Sequence, residues 1–279
     1  MQNSRIQWTD HTFNPWWGCT KVSAGCKNCY AEQFATKRLG LPIWGEDSPR
    51  RMASEAMWME PLKWNRKAQK EGIRRRVFSA SMADVFEEYC GTDRLQVAWA
   101  RERLFQLIED TPFLDWLLLT KRPQNVAGLV SESWETKWPR NAWVGCTVED
   151  RNQAEERLPH LLELPSSVKF VSYEPALEWV DFKPWVSQVN WIIVGGESGP
   201  GARPFDPAWA EGVVSLCRAA QTPVFVKQFG ANPTLRSGSG WGPVTATKGD
   251  DMAEWPEQLR VREFPEGQPY DAIQRNIRG

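Results

Sequence analysis

From residue 77 to residue 229 the chain alternates short apolar runs with longer stretches of helical periodicity. The apolar runs are "VFSAS" (77–81), "WLLLT" (116–120), "AWVGCTV" (142–148), "KFVSYE" (169–174), "WIIVGG" (191–196) and "VFVKQF" (224–229). They are compact and largely apolar, the pattern of strands buried on both faces. Between them, "TDRLQVAWARERLFQLIED" (92–110), "NQAEERLPHLLEL" (152–164) and "DPAWAEGVVSLCRAAQ" (206–221) read as helices. The last opens with Asp206 as its cap and Pro207 at the first helical position, where a missing N–H costs nothing. Strand–helix–strand repetition dictates an α/β chain with a parallel sheet and right-handed crossovers. Six strands are expected here, and one more around "RIQWT" (5–9). A doubly wound sheet and a full or partial barrel both satisfy that count.

With 279 residues, 41% of them apolar, the chain can bury a large core. A net charge of −1 gives no global field to draw nucleic acid or an anionic membrane. Residues 61–76 carry seven basic side chains against one acid, a solvated face or a phosphate-contacting patch. The 17 tryptophans are expected to fill the core and the seams between helices. The amino terminus lacks a secretory pattern and no apolar run is long enough to span a membrane, so a cytoplasmic, soluble protein is expected. Residues 231–279, rich in Gly, Pro and charge, form an irregular extension on a first unit of 1–230, with a flexible tip at "RSGSGWG" (236–242).

The chemistry concentrates in "FNPWWGCTKVSAGCKNCYAE" (13–32), which places Cys19, Cys26 and Cys29 within eleven residues. Structural zinc takes four ligands, and here a second pair is missing. His11, eight residues before Cys19, is the one histidine able to close a zinc sphere, since His160 lies in a helical stretch. A four-cysteine iron–sulfur site meets the same shortage. A [4Fe–4S] cluster held by three thiolates leaves one iron open, and S-adenosyl-L-methionine can chelate that iron. One electron then cleaves it to a 5′-deoxyadenosyl radical.

"NPWWGC" followed by "GCKNCYAE" resembles the radical S-adenosylmethionine superfamily, in particular its spore-photoproduct-lyase-like branch. That branch carries an Asn-Pro-Tyr-x-Gly-Cys opening and a Cys-x-x-Cys-Tyr-Ala close. Here Trp16-Trp17 fills the aromatic slot, and six residues separate the first two cysteines where three are usual. The whole chain resembles a phage- and prophage-associated three-cysteine family. The shared motifs are "GCTKVSAGCKNCYAE", "SMADVF", "LLTKRP", "WVGCTVED", "SYEPAL", "VGGESGPGARP", "VKQFG" and "EWPEQLRVREFP".

The resemblance implies a partial (β/α) TIM-like barrel of about six parallel strands, with the cysteine loop at their carboxyl ends. It places Ser81 and Asp84 at the amino group of S-adenosylmethionine. Thr120 and Lys121 end the next strand, where Lys121 meets the cosubstrate carboxylate or is a solvated lysine. Thr147 and Glu149 end a fourth strand as cosubstrate contacts, where Glu149 binds hydroxyls or amines or pairs with Lys121 and Arg122. Glu174 ends a fifth, as a substrate-binding carboxylate or as half of a rim ion pair. Gly195, Gly196 and Glu197 line the adenine pocket or serve as an ordinary turn, while Lys227 and Gln228 face the same mouth. Cys146 donates a hydrogen atom to a substrate radical if its strand face points inward, and is otherwise a small buried hydrophobe. The leading expectation is a radical enzyme acting on a nucleic acid or nucleoside, in base modification or lesion repair, with an external electron donor. The alternatives are a zinc- or cluster-stabilised nucleic-acid or protein-binding protein without catalysis, and a cluster that only transfers electrons.

Overall fold

The computed structural model describes residues 1–234 and 244–265. Three short strands come first: β1 (His11–Thr12), β2 (Trp16–Trp17) and β3 (Arg51–Met52). Between β2 and β3 lie the cysteine loop and α1 (Tyr30–Gln33), which runs into a π-helical turn at Phe34–Arg38. The repeat then proceeds through α2 (Glu55–Glu71), β4 (Arg75–Ser79), α3 (Arg94–Glu109) and β5 (Leu114–Thr120). Next come α4 (Val126–Leu129), α5 (Glu132–Thr136), β6 (Ala142–Thr147), α6 (Arg151–Glu163) and β7 (Lys169–Tyr173). It closes with β8 (Trp191–Gly195), α7 (Pro207–Ala220) and β9 (Val224–Gln228).

Seven of these strands form one parallel sheet in the order β1-β4-β5-β6-β7-β8-β9. That order never reverses. A doubly wound sheet needs a reversal so that helices cover both faces, whereas one-way order with right-handed crossovers stacks them on one face. The sheet curls accordingly into a half-barrel. All six strands expected after residue 77 are present, and the three expected helices appear as α3, α6 and α7. Asp206 accepts a hydrogen bond from the Ala208 N–H at 2.9 Å, and Asp150 caps α6 by accepting from Gln153 at 2.9 Å.

The expected strand at residues 5–9 is not one. The strand is His11–Thr12, paired with Val77 and Phe78. Trp8 instead turns into the half-barrel, 2% exposed, with its ring 4.7 Å from Phe78 and 6.3 Å from Trp191. With Leu117, Trp143, Phe170, Ile193 and Phe225 it fills the concave interior with apolar bulk. A half-open barrel lacks strands to close that space, and a large indole occupies it.

The carboxyl-terminal segment protects an edge. Val226 donates to the Val261 carbonyl and Glu263 to the Val224 carbonyl, so the backbone groups of β9 facing away from β8 find partners. Two 3₁₀ turns, Met252–Glu254 and Glu257–Leu259, precede this strap. The glycine-rich tip at 236–242 lies outside the described residues. Among the described residues, no helix is long and apolar enough to cross a membrane. Buried tryptophans carry much of the core, and several of their N–H groups are paired, among them Trp116 to Thr111, Trp134 to Glu109 and Trp191 to the Glu263 carbonyl, whereas those of Trp8, Trp16 and Trp64 find no partner among the described residues.

Candidate active site

A cavity of about 720 Å³ opens at the carboxyl ends of the strands. Cys19, Cys26 and Cys29 all line it, together with Ser81, Asp84, Thr120, Lys121, Thr147, Glu174, Gly196 and Glu197. Residues from six separate segments therefore converge on one space. Cys146, Glu149 and Gly195 do not line it.

Cys146 faces the wrong way for hydrogen donation. Side chains alternate across a strand, and Thr147 takes the cavity side. Cys146 packs with Val144, Val148, Ala154 and Leu158 in the layer between sheet and helices, fully buried. Burial pushes its thiol up to about 12, as expected of an inert buried hydrophobe.

The carboxylates after alternate strands hold the cysteine loop. Following β4, Asp84 accepts from Thr120 Oγ1 at 2.7 Å, the Phe86 N–H at 3.0 Å, the Lys121 N–H at 3.1 Å and Arg122 Nη1 at 2.8 Å. Its acceptor capacity is used within the protein, and so is the Thr120 hydroxyl proton. Arg122 passes the charge on: Nη2 donates to the Thr20 carbonyl at 2.7 Å, and Nη1 approaches Cys19 Sγ at 3.8 Å. Behind it, buried Arg50 pairs with Glu87 at 3.0 Å and donates to Thr20 Oγ1 at 3.2 Å.

Following β6, Glu149 is fully buried and ion-paired to Arg157 at 2.8 Å. Its Oε1 accepts from the Ser23 hydroxyl and, at 3.3 Å, from the Gly25 N–H. Following β8, Glu197 accepts from Asn28 Nδ2 at 2.9 Å and from the Arg203 N–H and Nε at 2.9 and 3.0 Å. Arg203 Nη1 also donates to the Ala24 carbonyl at 2.8 Å. Burial alone would raise the Glu197 carboxyl, but the hydrogen bonds from Arg203 and Asn28 outweigh it and hold it low. Asp84, Glu149 and Glu197 are thus loop anchors where the resemblance implied cosubstrate contacts.

The groups left facing the cavity come from the other strand ends. Lys121 follows β5 and lines the cavity. Thr147 and Ser172 are register partners on β6 and β7, and both line the cavity. Glu174 follows β7 and pairs with Lys227, while Gln228 Nε2 donates to the Gly196 carbonyl at 3.0 Å. Gly196 is required by close approach: a Cβ there would lie 2.2 Å from the Phe229 carbonyl oxygen. Ser81 accepts from Asn14 Nδ2 at 3.1 Å, and its carbonyl accepts from the Tyr30 hydroxyl at 2.7 Å.

The three cysteines are half-buried at the cavity wall. Burial, then Glu87 and Asp84, push Cys19 up to about 12 against the opposing pull of Arg122. Burial also raises Cys29, offset in part by backbone N–H groups and by Lys121. A positively charged metal centre reverses that balance and takes the thiolates as ligands. Among the described residues, no three His, Cys, Asp or Glu side chains converge on the position of a single ion. A four-iron cube binds each thiolate at a different iron, so its ligands need not share one centre. His11 is elsewhere, stacked on Trp64 with 4.4 Å between ring centroids and accepting from the Asn3 N–H at 3.3 Å. It does not line the cavity, and the three-cysteine-plus-His11 zinc site loses its fourth ligand for that reason.

Arg157 and Arg203 were not anticipated from the sequence. Arg157 carried a sign: it falls on the apolar stripe of α6, between Ala154 and Leu161, where a charge needs a buried partner. Ser23 and Asn28 carried none.

Fold and site together define an α/β half-barrel with a three-thiol loop held over a largely apolar cavity rimmed by polar strand ends. The chain belongs to the family described as Protein of unknown function (DUF5131), whose model matches residues 3–272. No curated protein matches it. Among solved structures it is similar to a serine-for-cysteine mutant of spore photoproduct lyase, at 11% identity and a TM-score of 0.47 over 99% of this chain and 74% of that one. It is also similar to an alanine-for-cysteine mutant of the same enzyme, at 11% identity and a TM-score of 0.43 over 78% of this chain. The match spans about half of that second chain, 53%.

Proposed function

We propose that the protein is a radical S-adenosylmethionine enzyme acting on a nucleic acid or nucleoside. The observation that carries this reading is the convergence of Cys19, Cys26 and Cys29 on one ligand-sized cavity, where Asp84 and Glu197, the carboxylates that tie down the loop, are already engaged. With those partners in place, the fourth position of a cluster falls to a small molecule and not to a side chain. A [4Fe–4S] cluster bound there, with an external electron donor, supplies one-electron cleavage of S-adenosylmethionine and hydrogen abstraction from a substrate.

The chain's own residues then have separable tasks. Arg122 and the anchoring carboxylates hold the thiols at the cavity. Lys121 offers a compact positive charge to a cosubstrate carboxylate. Glu174 and Lys227 present an acceptor and a donor to the substrate from the opposite rim. Trp17, Tyr30, Phe34 and Trp44 line the cavity and give flat apolar faces on which a base can stack. A volume of about 720 Å³ lies within the range of small-molecule sites.

Anaerobic reconstitution with iron and sulfide tests this reading. The expected result is about four irons per chain and reductant-dependent release of 5′-deoxyadenosine from S-adenosylmethionine, stimulated by DNA or a nucleoside. Cys26→Ala should lose the iron and keep the circular dichroism of the folded half-barrel. A wild-type chain that takes up no iron, or that yields no 5′-deoxyadenosine when loaded, refutes it.

A further inference from the structure

The six residues between Cys19 and Cys26 should slacken the loop, yet the structure shows them tied down, and the ties share one design. Glu149 and Glu197 stand after β6 and β8, each mostly or wholly buried, each neutralised by its own arginine. Their remaining acceptor capacity goes to the cysteine loop. Glu149 takes the Ser23 hydroxyl and the Gly25 N–H, just before Cys26. Glu197 takes Asn28 Nδ2, between Cys26 and Cys29. Arg203 adds the Ala24 carbonyl, and Asn28 also donates to the Gly201 carbonyl at 3.0 Å.

A buried carboxylate that accepts hydrogen bonds from a separate loop is an expensive arrangement unless position matters. Each ion pair would remain neutral without the loop, since Arg157 and Arg203 already balance the charge. The contacts to Ser23, Gly25 and Asn28 act on the loop.

We propose that Glu149 and Glu197 are positioning residues that fix Ser23–Asn28 on the barrel rim, so that Cys26 and Cys29 face the cavity before any cluster arrives. The six-residue gap "TKVSAG" supplies the two groups, Ser23 and Gly25, that Glu149 grips, so the longer spacing is what the latch uses. Preorganised ligands bind without first losing loop freedom, which favours retention of the bound group. This inference rests on the radical S-adenosylmethionine reading for the identity of what is held, while every contact of the latch is made within the chain itself.

The test cuts the loop side and spares the buried ion pairs. Ser23→Ala combined with Asn28→Ala removes a contact to each carboxylate, with Lys27→Ala, in the same loop, as the control. In the metal-free chain, hydrogen exchange of the 20–28 amides should rise about tenfold in the double variant and stay unchanged in the control, with thermal midpoints alike. After reconstitution, chelator-driven loss of iron should be about tenfold faster. Restoring Asn28 alone should recover part of the protection, because the Glu197 arm is then intact. Wild-type exchange and wild-type iron retention in the double variant overturn the latch. If exchange rises but neither chain holds iron while Cys26→Ala behaves identically, the latch stands and the cluster reading fails.

Discussion

His11 gives the half-barrel a measurable acid sensitivity. Its ring is 6% exposed, stacked on Trp64, with a nitrogen already accepting the Asn3 N–H. Burial lowers its pKa from 6.5 to about 4, opposed by Asp10 and reinforced by Arg75, the amino terminus and Lys67. The unfolded chain therefore binds a proton as pH falls through 6.5, while the folded chain binds it only near 4. Above pH 6.5 both states are neutral at this site and it contributes no pH dependence. Between those values folding loses about 1.4 kcal/mol per pH unit, or about 3 kcal/mol in all, and nothing more below pH 4. His11→Phe keeps an aromatic ring against Trp64 and removes the titration. Urea unfolding of both chains from pH 7.5 to 4.5 isolates the site, because carboxylates elsewhere cancel in the difference. The stability of the wild type relative to the variant should fall toward acid by roughly that amount. Parallel profiles would show that the folded site accepts a proton as readily as the unfolded chain. The same variant should bind as much iron as the wild type, since His11 does not line the cavity.

Three further outcomes follow from the packing. Gly196→Ala should cost about 1–3 kcal/mol in urea unfolding, because the new methyl meets the Phe229 backbone and cannot push it aside as it would a side-chain tip. Cys146→Ala should lower stability by about 1 kcal/mol and leave product formation from any accepted substrate unchanged, whereas loss of product with normal 5′-deoxyadenosine release would reinstate it as a hydrogen donor. Arg157→Met should destabilise by about 3–5 kcal/mol, since Glu149 is left buried and uncompensated, and adding Glu149→Gln should recover much of the loss in a double-mutant cycle.

The sheet was legible because both of its signals are local. Runs such as Trp116–Thr120 and Trp191–Gly196 are apolar on both faces, and only a strand covered from two sides needs that. Strand order was not legible, because an α/β alternation fits a reversing and a non-reversing sheet equally well. The decision rests on which crossovers share a face, a property of the whole sheet. Residues 5–9 show the same limit. Ile6 and Trp8 alternate as strand residues do, yet an indole that fills a concave interior is worth more inside than a two-residue extension of an edge strand. No neighbouring residue records that the barrel is half open.

The site shows a sharper limit. Asp84, Glu149, Glu174 and Glu197 all follow strands, and a carboxylate after a barrel strand looks the same in sequence whether it awaits a ligand or holds a loop. What separates them is the partner. Arg122 comes from the next loop, Arg157 from the next helix, Arg203 from six residues downstream, and each turns its carboxylate into an anchor with neutral overall charge. Around those three the remaining acceptor positions go to backbone and loop donors, whereas Glu174 receives Lys227 and, at 3.5 Å, Gln228 Nε2. Glu174, whose partner is Lys227, accordingly remains on the cavity wall as a group a substrate can still reach. Carboxylates paired with arginine hold the thiol loop, and the one paired with lysine stays on the cavity wall.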